Sequence, residues 1–228
     1  VFRSFFLIQK LKKKYDVIIF TENRTKSEEF FKKRNFKLIS YRKIDQLKVF
    51  KEIVLNFKIN RFINDSIFFD KRIYQFLKKK NCKCFFLDTK SIRATDNFYC
   101  INTFIETKHK HKNYYNGLKY VITDPSLKFR KNNRLNKDIK LLIHFGGTDD
   151  RKLNLKIIDI LPKIKNLKKA SVILGPALNY KHTKIYEKIT KVKFNVKIYN
   201  YPKKLNHIYN SSNLAITTGG NTLFNFCS

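Results

Sequence analysis

Short apolar runs alternate with longer amphipathic segments along most of the chain, and this alternation limits the possible folds more than any other feature. The runs 16–21, 83–87, 140–145 and 170–174 have the length of strands and are largely apolar. Such strands are typical of parallel sheets that helices cover on both faces. The segments between them, such as 44–57, carry apolar residues three or four positions apart, as helices do. The pattern predicts an α/β protein with parallel sheets.

The alternation occurs twice, and a polar stretch separates the two series. Residues 130–138 contain almost no apolar side chains, which is typical of a linker. We therefore predict an N-terminal Rossmann-like domain over residues 1–129, a linker over 130–138 and a C-terminal Rossmann-like domain over 139–228. The sequence contains no Met and stops inside a predicted helix that begins at Asn221. We therefore expect a fragment of a longer protein, with both domains incomplete.

The chain is strongly basic. It contains 50 Lys and Arg residues and 17 Asp and Glu residues, which gives a formal net charge of +33. Such a charge favours polyanionic partners. The basic residues are spread over the whole length, however, together with many Asn, Ile, Phe and Tyr residues whose codons are rich in A and T. We attribute the charge to that bias and expect no specific nucleic-acid partner. No apolar run reaches the roughly 18 residues of a membrane span, and no signal peptide is visible, so we expect a cytoplasmic protein.

The four cysteines suggest neither disulfides nor a metal site. Cys82 and Cys84 lie in or beside an apolar run, while Cys100 and Cys227 are isolated, so we expect free thiols. The densest basic run, 108–112, holds two histidines among three lysines, whose charges would repel a metal cation. We expect no metal ion and no cofactor.

Small residues follow three successive predicted strands in the second half of the chain. These segments are Gly146-Gly147-Thr148, Gly175-Pro176 and Gly219-Gly220-Asn221-Thr222. Ligands of open parallel sheets bind at the carboxyl ends of strands, where glycine permits close approach and the following helix offers N–H groups to phosphate. Glycine is also common in ordinary turns, but three segments in register favour phosphate or nucleotide binding. His144, just before the first pair, is interpreted as a packed strand residue.

Together with their flanking strands, over residues 141–149, 172–176 and 214–224, these segments resemble the UDP-sugar hydrolases of pseudaminic-acid biosynthesis. That family releases UDP from a UDP-diacetamido-trideoxyhexose and is similar to the MurG-like GT-B group. Asp65-Ser66 and the stretch 116–120 resemble further motifs of the family. The resemblance implies a GT-B-like fold of two Rossmann-like domains, with the sugar nucleotide in a cleft between them.

The resemblance also implies a set of substrate-binding residues. Gly219, Gly220, Asn221 and Thr222 would surround the diphosphate. Gly146, Gly147 and Thr148 would face the cleft, and Gly175 and Pro176 would lie near the uridine. Asn225 stands where the family carries a glutamate that contacts the nucleotide or the substrate.

The catalytic base of the family is a histidine in a Gly-x-Gly-His turn that follows its first strand. Neither that strand nor that turn is present in this sequence, so we assign no catalytic residue. The first strand is central in a doubly wound sheet, and we therefore predict a gap between the runs that begin at Asp16 and Arg61.

Three functions remain open. A UDP-sugar hydrolase agrees best with the motifs. A MurG-like glycosyltransferase would use the same UDP site with an acceptor in place of water. A non-catalytic protein that binds sugar nucleotides or polyanions is the third possibility.

Overall fold

The computed structural model describes residues 2–66, 69–90, 92–103, 111–127, 138–176, 178, 180–192, 195–202 and 204–227. The chain forms two compact units, Val1–Ile122 and Thr123–Ser228. The predicted linker, apart from Asp138, lies outside the described residues, as does most of the basic run 108–112. The domain bounds drawn from the sequence stay a prediction.

The first unit contains four α-helices and six strands among its described residues. The helices are α1 (Phe2–Leu11), α2 (Lys26–Lys32), α3 (Gln46–Asn56) and α4 (Lys71–Lys79). The strands are β1 (Ile19–Glu22), β2 (Leu38–Tyr41), β3 (Arg61–Asn64), β4 (Lys83–Leu87), β5 (Phe98–Asn102) and β6 (Tyr114–Asn116).

These strands form two separate parallel sheets. One sheet consists of β1 and β2, and the other has the order β3-β4-β5-β6. No strand of the described residues joins β1 to β3, so the gap predicted between the runs at Asp16 and Arg61 is present. The core of this unit lies between α3, α4 and the four-stranded sheet β3-β4-β5-β6. It is rich in aromatic side chains, including Phe50, Phe86 and Phe98.

The second unit contains four α-helices and four strands among its described residues. The helices are α5 (Leu153–Ile160), α6 (Thr183–Thr190), α7 (Asn206–Asn210) and α8 (Asn221–Cys227). The strands are β7 (Ile139–His144), β8 (Leu167–Leu174), β9 (Val196–Asn200) and β10 (Leu214–Thr217). All pairs are parallel, and the order is β10-β7-β8-β9.

Helices cover both faces of the second sheet, as its apolar strands predict. Successive side chains of β7 point to opposite faces. Leu141 and Ile143 pack in a cluster with Ile158 of α5 and Ile185 of α6. Leu142 belongs to another cluster, which contains α7 side chains. Burial on both faces explains why β7 is apolar at consecutive positions.

Two local features compare directly with the sequence. Thr25 followed by Glu28 is a capping pattern typical of a helix start, and α2 begins directly after Thr25, whose Oγ1 accepts a hydrogen bond from the Glu28 N–H at 3.2 Å. Strand β6 was not predicted, because three residues at the edge of a sheet, in a polar stretch, carry almost no apolar signal.

Among the described residues, no helix has the length and apolar character needed to cross a membrane.

Candidate functional site

The three predicted glycine segments meet at the carboxyl edge of the second sheet. β7 lies between β10 and β8, and both Thr217 of β10 and Ile173 of β8 are paired with His144 of β7. The three strands therefore end at nearly the same level. The segments that follow them come next to one another, as expected for a ligand site of a parallel sheet.

The segments after β7 and β10 are in contact. The Oγ1 of Thr222 lies 3.7 Å from the place that a Cβ on Gly146 would occupy. Gly146 has φ +81° and Gly220 has φ +120°, values that side-chain-bearing residues rarely adopt. Glycine is therefore required by the backbone at these two positions.

Gly175 has a different reason to be glycine. A Cβ at this position would lie 2.2 Å from the Gly146 carbonyl oxygen and 2.4 Å from the Gly147 carbonyl oxygen. The two loops therefore pack backbone against backbone at Gly175, which is buried, and Pro176 follows it half-buried. Close packing of the chain explains this glycine without a ligand.

The segment from Gly219 to Thr222 presents backbone donors. Within the described part of the chain, the N–H groups of these four residues find no acceptor. Nothing lies within 4 Å of a Cβ built on Gly219 or Gly220, and Gly219 is exposed. The Asn221 Oδ1 is buried and has no hydrogen-bond partner among the described residues. Unsatisfied N–H groups around an open space can bind an anionic oxygen.

The N–H groups at the amino end of α5, in contrast, are already bonded to a side chain of the protein. Asp149 is buried with φ +56°, and its carboxylate accepts hydrogen bonds from the N–H groups of Leu153 at 2.7 Å and Asn154 at 3.1 Å. Tyr180 donates its hydroxyl to the same carboxylate at 2.5 Å. Burial, together with this hydrogen bond, raises the pKa of Tyr180. The N–H groups of Leu153 and Asn154 at the start of α5 are therefore already bonded within the chain and are not offered to phosphate. The exposed Gly147 and Thr148 remain accessible.

Removing the Asp149 carboxylate should destabilise the second unit. Asp149→Ala leaves two helix N–H groups and the Tyr180 hydroxyl without their acceptor, and we expect a loss of about 2–4 kcal/mol in the free energy of unfolding. The adjacent Asp150 is exposed, so Asp150→Ala is the matched control and should change stability by less than about 0.5 kcal/mol. Urea unfolding followed by circular dichroism measures both. Equal effects of the two substitutions would contradict the capping role.

His144 is a packed strand residue, as the sequence analysis proposed. Its side chain is buried, and its Nδ1 lies 3.0 Å from the Tyr209 hydroxyl oxygen. Burial lowers the pKa of His144 from 6.5 to about 4, so the imidazole is neutral at neutral pH. His144 therefore helps to hold the carboxyl end of β7 in place next to the glycine segment.

Asn225 lies one turn into α8 and is buried. Its Oδ1 accepts a hydrogen bond from the backbone N–H of Asp124 at 3.0 Å. This contact ties α8 to the start of the second unit, and no local pattern predicts it because the two residues are 101 positions apart. A contact of Asn225 with a substrate stays a prediction.

A cluster of polar side chains, which the sequence analysis did not predict, lies at the carboxyl ends of β3 and β4 in the first unit. Arg3 forms ion pairs with Asp65, which follows β3, and with Asp88, which follows β4. The Ser4 hydroxyl donates to Asp65 at 2.5 Å. Burial alone would raise the pKa of Asp88, but hydrogen bonds from Thr103 and Arg3 outweigh it and lower that pKa. Asp65, singled out from the sequence as a motif residue, thus fixes the start of α1.

The described residues contain no group of three or more His, Cys, Asp or Glu side chains placed to hold a metal ion. The candidate site at the carboxyl edge of β7, β8 and β10 consists, in its described part, of backbone donors, glycines, Thr148, Asn221 and Thr222. Such a site can bind and orient an anionic group.

No protein-family model matches the sequence, and no curated protein matches it with significance. Among solved structures, the MurG of Acinetobacter baumannii is similar to this chain, with a TM-score of 0.66 and 10% sequence identity. The match covers 97% of this chain and 70% of the MurG chain. At this identity the similarity concerns the fold. The chain has an α/β, GT-B-like fold with Rossmann-like parallel-sheet units, which confirms the predicted fold class.

Proposed function

We propose that this chain binds a UDP-sugar through its second unit and belongs to a sugar-nucleotide-dependent enzyme. The first candidate for that enzyme is a glycosyltransferase. The observation that carries the proposal is the open set of N–H donors from Gly219 to Thr222. It lies at the carboxyl edge of a parallel sheet and in contact with the glycine pair after β7. The fold similarity to the glycosyltransferase MurG supports the same assignment.

The proposed chemistry uses these donors to hold the diphosphate. When the bond between the anomeric carbon and the diphosphate breaks, negative charge grows on the leaving UDP. Backbone N–H groups that are already oriented stabilise this charge without reorganisation. Thr222 would add its hydroxyl, and Asn221 would contribute its side-chain amide. The described residues supply binding and charge stabilisation, and we assign no base to them.

Gly219 offers a direct test, because a side chain there meets no part of the described chain and its φ lies outside the left-handed region. Gly219→Val should therefore leave the fold unchanged but occupy the space of the diphosphate. We expect UDP binding to weaken at least tenfold, roughly 1.4 kcal/mol, in titration calorimetry. Thr222→Val should weaken binding by about 0.5–1.5 kcal/mol through loss of one hydroxyl.

Controls separate the site from the fold. Leu223→Ala removes an exposed side chain from the same helix and should bind UDP like the unaltered chain. Gly220→Val differs from Gly219→Val because its positive φ adds backbone strain, so it should lower both affinity and stability. Unchanged UDP affinity in Gly219→Val, with normal binding in the parent chain, would overturn the placement of the diphosphate.

Hydrolysis is the second candidate, and the order and spacing of the three glycine segments favour it, because they resemble UDP-sugar hydrolases. The two reactions differ in the acceptor. A hydrolase releases UDP from the sugar nucleotide in water alone, whereas a transferase releases it only when an acceptor is added. Chromatographic measurement of UDP over a panel of UDP-sugars, with and without acceptor lipids or sugars, distinguishes them. An absence of UDP binding at millimolar concentration would favour the polyanion-binding alternative.

A further inference from the structure

Helix α8 has a polar side chain at its most buried position. Among the seven residues of α8, all of which the structure describes, Asn225 alone is buried. Phe226, half-buried, adds an edge-on contact with the ring of Tyr209 at 6.0 Å. A helix this short is not stable without tertiary contacts. The position of α8 in the second unit therefore depends on the partners of these two side chains.

The partner of Asn225 is a short segment at the start of the second unit, residues 124–127, which we call the strap. The Asp124 N–H donates to the Asn225 Oδ1 at 3.0 Å. The Asp124 carboxylate accepts hydrogen bonds from the N–H of Ser126 at 2.9 Å and from its hydroxyl at 2.6 Å. The Ser126 carbonyl accepts a hydrogen bond from the Asn206 side chain of α7 at 2.6 Å. Asn225 thus joins α8 to a strap that is itself anchored on α7.

A negative charge at position 225 would be unfavourable. Burial and, after it, the charge of Asp124 raise the pKa of Tyr209, so the Asp124 charge acts in the buried region where Tyr209 contacts α8. A second carboxylate in this region would be repelled by the first. The amide of Asn225 accepts the Asp124 N–H without adding a charge. This gives a physical reason for an amide where the family that the sequence resembles carries a glutamate.

The contact at Asn225 affects the proposed UDP site through α8. Asn221 lies one turn before Asn225, on the same side of the helix, and its Oδ1 is buried. The N–H donors of residues 219–222 belong to this first turn and to the two residues before it. Such donors stabilise an anion best when they are already oriented. A shift of α8 would therefore move them away from the diphosphate.

We propose that Asn225 is a positioning residue of the UDP site. Its hydrogen bond with the Asp124 N–H joins α8 to the strap, and this bond sets the position of the N–H donors from Gly219 to Thr222. The side chain at position 225 has to be a neutral acceptor, which excludes an acidic role there. The inference rests on the proposed function and adds to it the contact that holds the donors in place.

Asn225→Leu tests the hydrogen bond, because leucine has a similar size but cannot accept the Asp124 N–H. We expect the UDP affinity of the whole chain to fall by about tenfold or more in titration calorimetry. UDP should also slow hydrogen exchange of the Asp124 amide in the unaltered chain, because coupling between two sites is reciprocal. At saturating UDP this protection should be absent in Asn225→Leu. Leu223→Ala, which removes an exposed side chain from the same helix, is the control for both measurements.

A charge exchange separates positioning from packing. Asn225→Asp can still accept the Asp124 N–H, but it places a second carboxylate near the first, so it should bind UDP about tenfold more weakly at neutral pH. Asp124→Asn removes the first charge and keeps an acceptor for Ser126. The double variant Asp124→Asn/Asn225→Asp should therefore recover the UDP affinity to within about threefold of the unaltered chain.

The outcomes distinguish this inference from the proposed function. If the unaltered chain does not bind UDP, the proposed function and this inference both fail. Normal binding by the unaltered chain, with the same affinity in Asn225→Leu, would overturn this inference alone. A double variant that binds as weakly as Asn225→Asp would also overturn it, because the side chain at 225 would then act on the ligand directly and not through Asp124.

Discussion

Gly175→Ala is expected to lower the free energy of unfolding of the second unit by about 3 kcal/mol. The added Cβ would lie 2.2 Å and 2.4 Å from two carbonyl oxygens of the β7 loop. Backbone atoms at the end of a buried central strand cannot move aside as a flexible side chain could, so the loops after β7 and β8 must separate. Urea unfolding, with hydrogen exchange to locate the change in the second unit, measures the loss.

Gly147→Ala is the matched control for this prediction. A Cβ on Gly147 meets nothing within 4 Å in the described chain, and its φ lies outside the left-handed region. The same chemical change one loop away should therefore cost less than about 0.5 kcal/mol. If Gly175→Ala were as well tolerated as Gly147→Ala, the close packing of these two loops would be wrong.

Acidification is expected to destabilise the second unit through His144. Its pKa is about 4 in the folded chain, against 6.5 for an ordinary histidine. The unfolded chain therefore binds a proton at a higher pH than the folded chain does. The stabilisation is complete above pH 6.5 and is lost as the pH falls toward 4, by about 3 kcal/mol in all.

Unfolding free energies measured between pH 7 and pH 4 test this. His144→Gln keeps a polar group near Tyr209 but cannot gain the proton, so its stability should fall less steeply with acid. His182 is exposed, and His182→Gln should follow the pH dependence of the unaltered chain. Parallel curves for all three proteins would show that His144 does not carry the acid sensitivity.

The meeting of the three glycine segments at one edge of the sheet was predictable because its determinants lie close together in the sequence. An apolar run predicts a strand, and the glycines after it predict a tight turn at its carboxyl end. Parallel order then brings Gly146, Gly175 and Gly219 to one edge of the sheet. The parts that could not be predicted, such as the closure of α5 by Asp149 and the contact of Asn225 with Asp124, depend on side-chain directions or distant backbone.

The sequence by itself determined most of the elements and the class of the fold, because apolar periodicity and glycine conformation act over a few neighbouring residues. Only the tertiary structure decided why glycine is or is not required at each position of the site. Gly220 is required by its positive φ, Gly175 by the carbonyl groups packed against it, and Gly219 by neither. It also decided that Arg3 bridges Asp65 and Asp88, which requires side chains from three distant segments to meet. The physical reason is that strand order and loop packing set these distances, and neither is encoded in local periodicity.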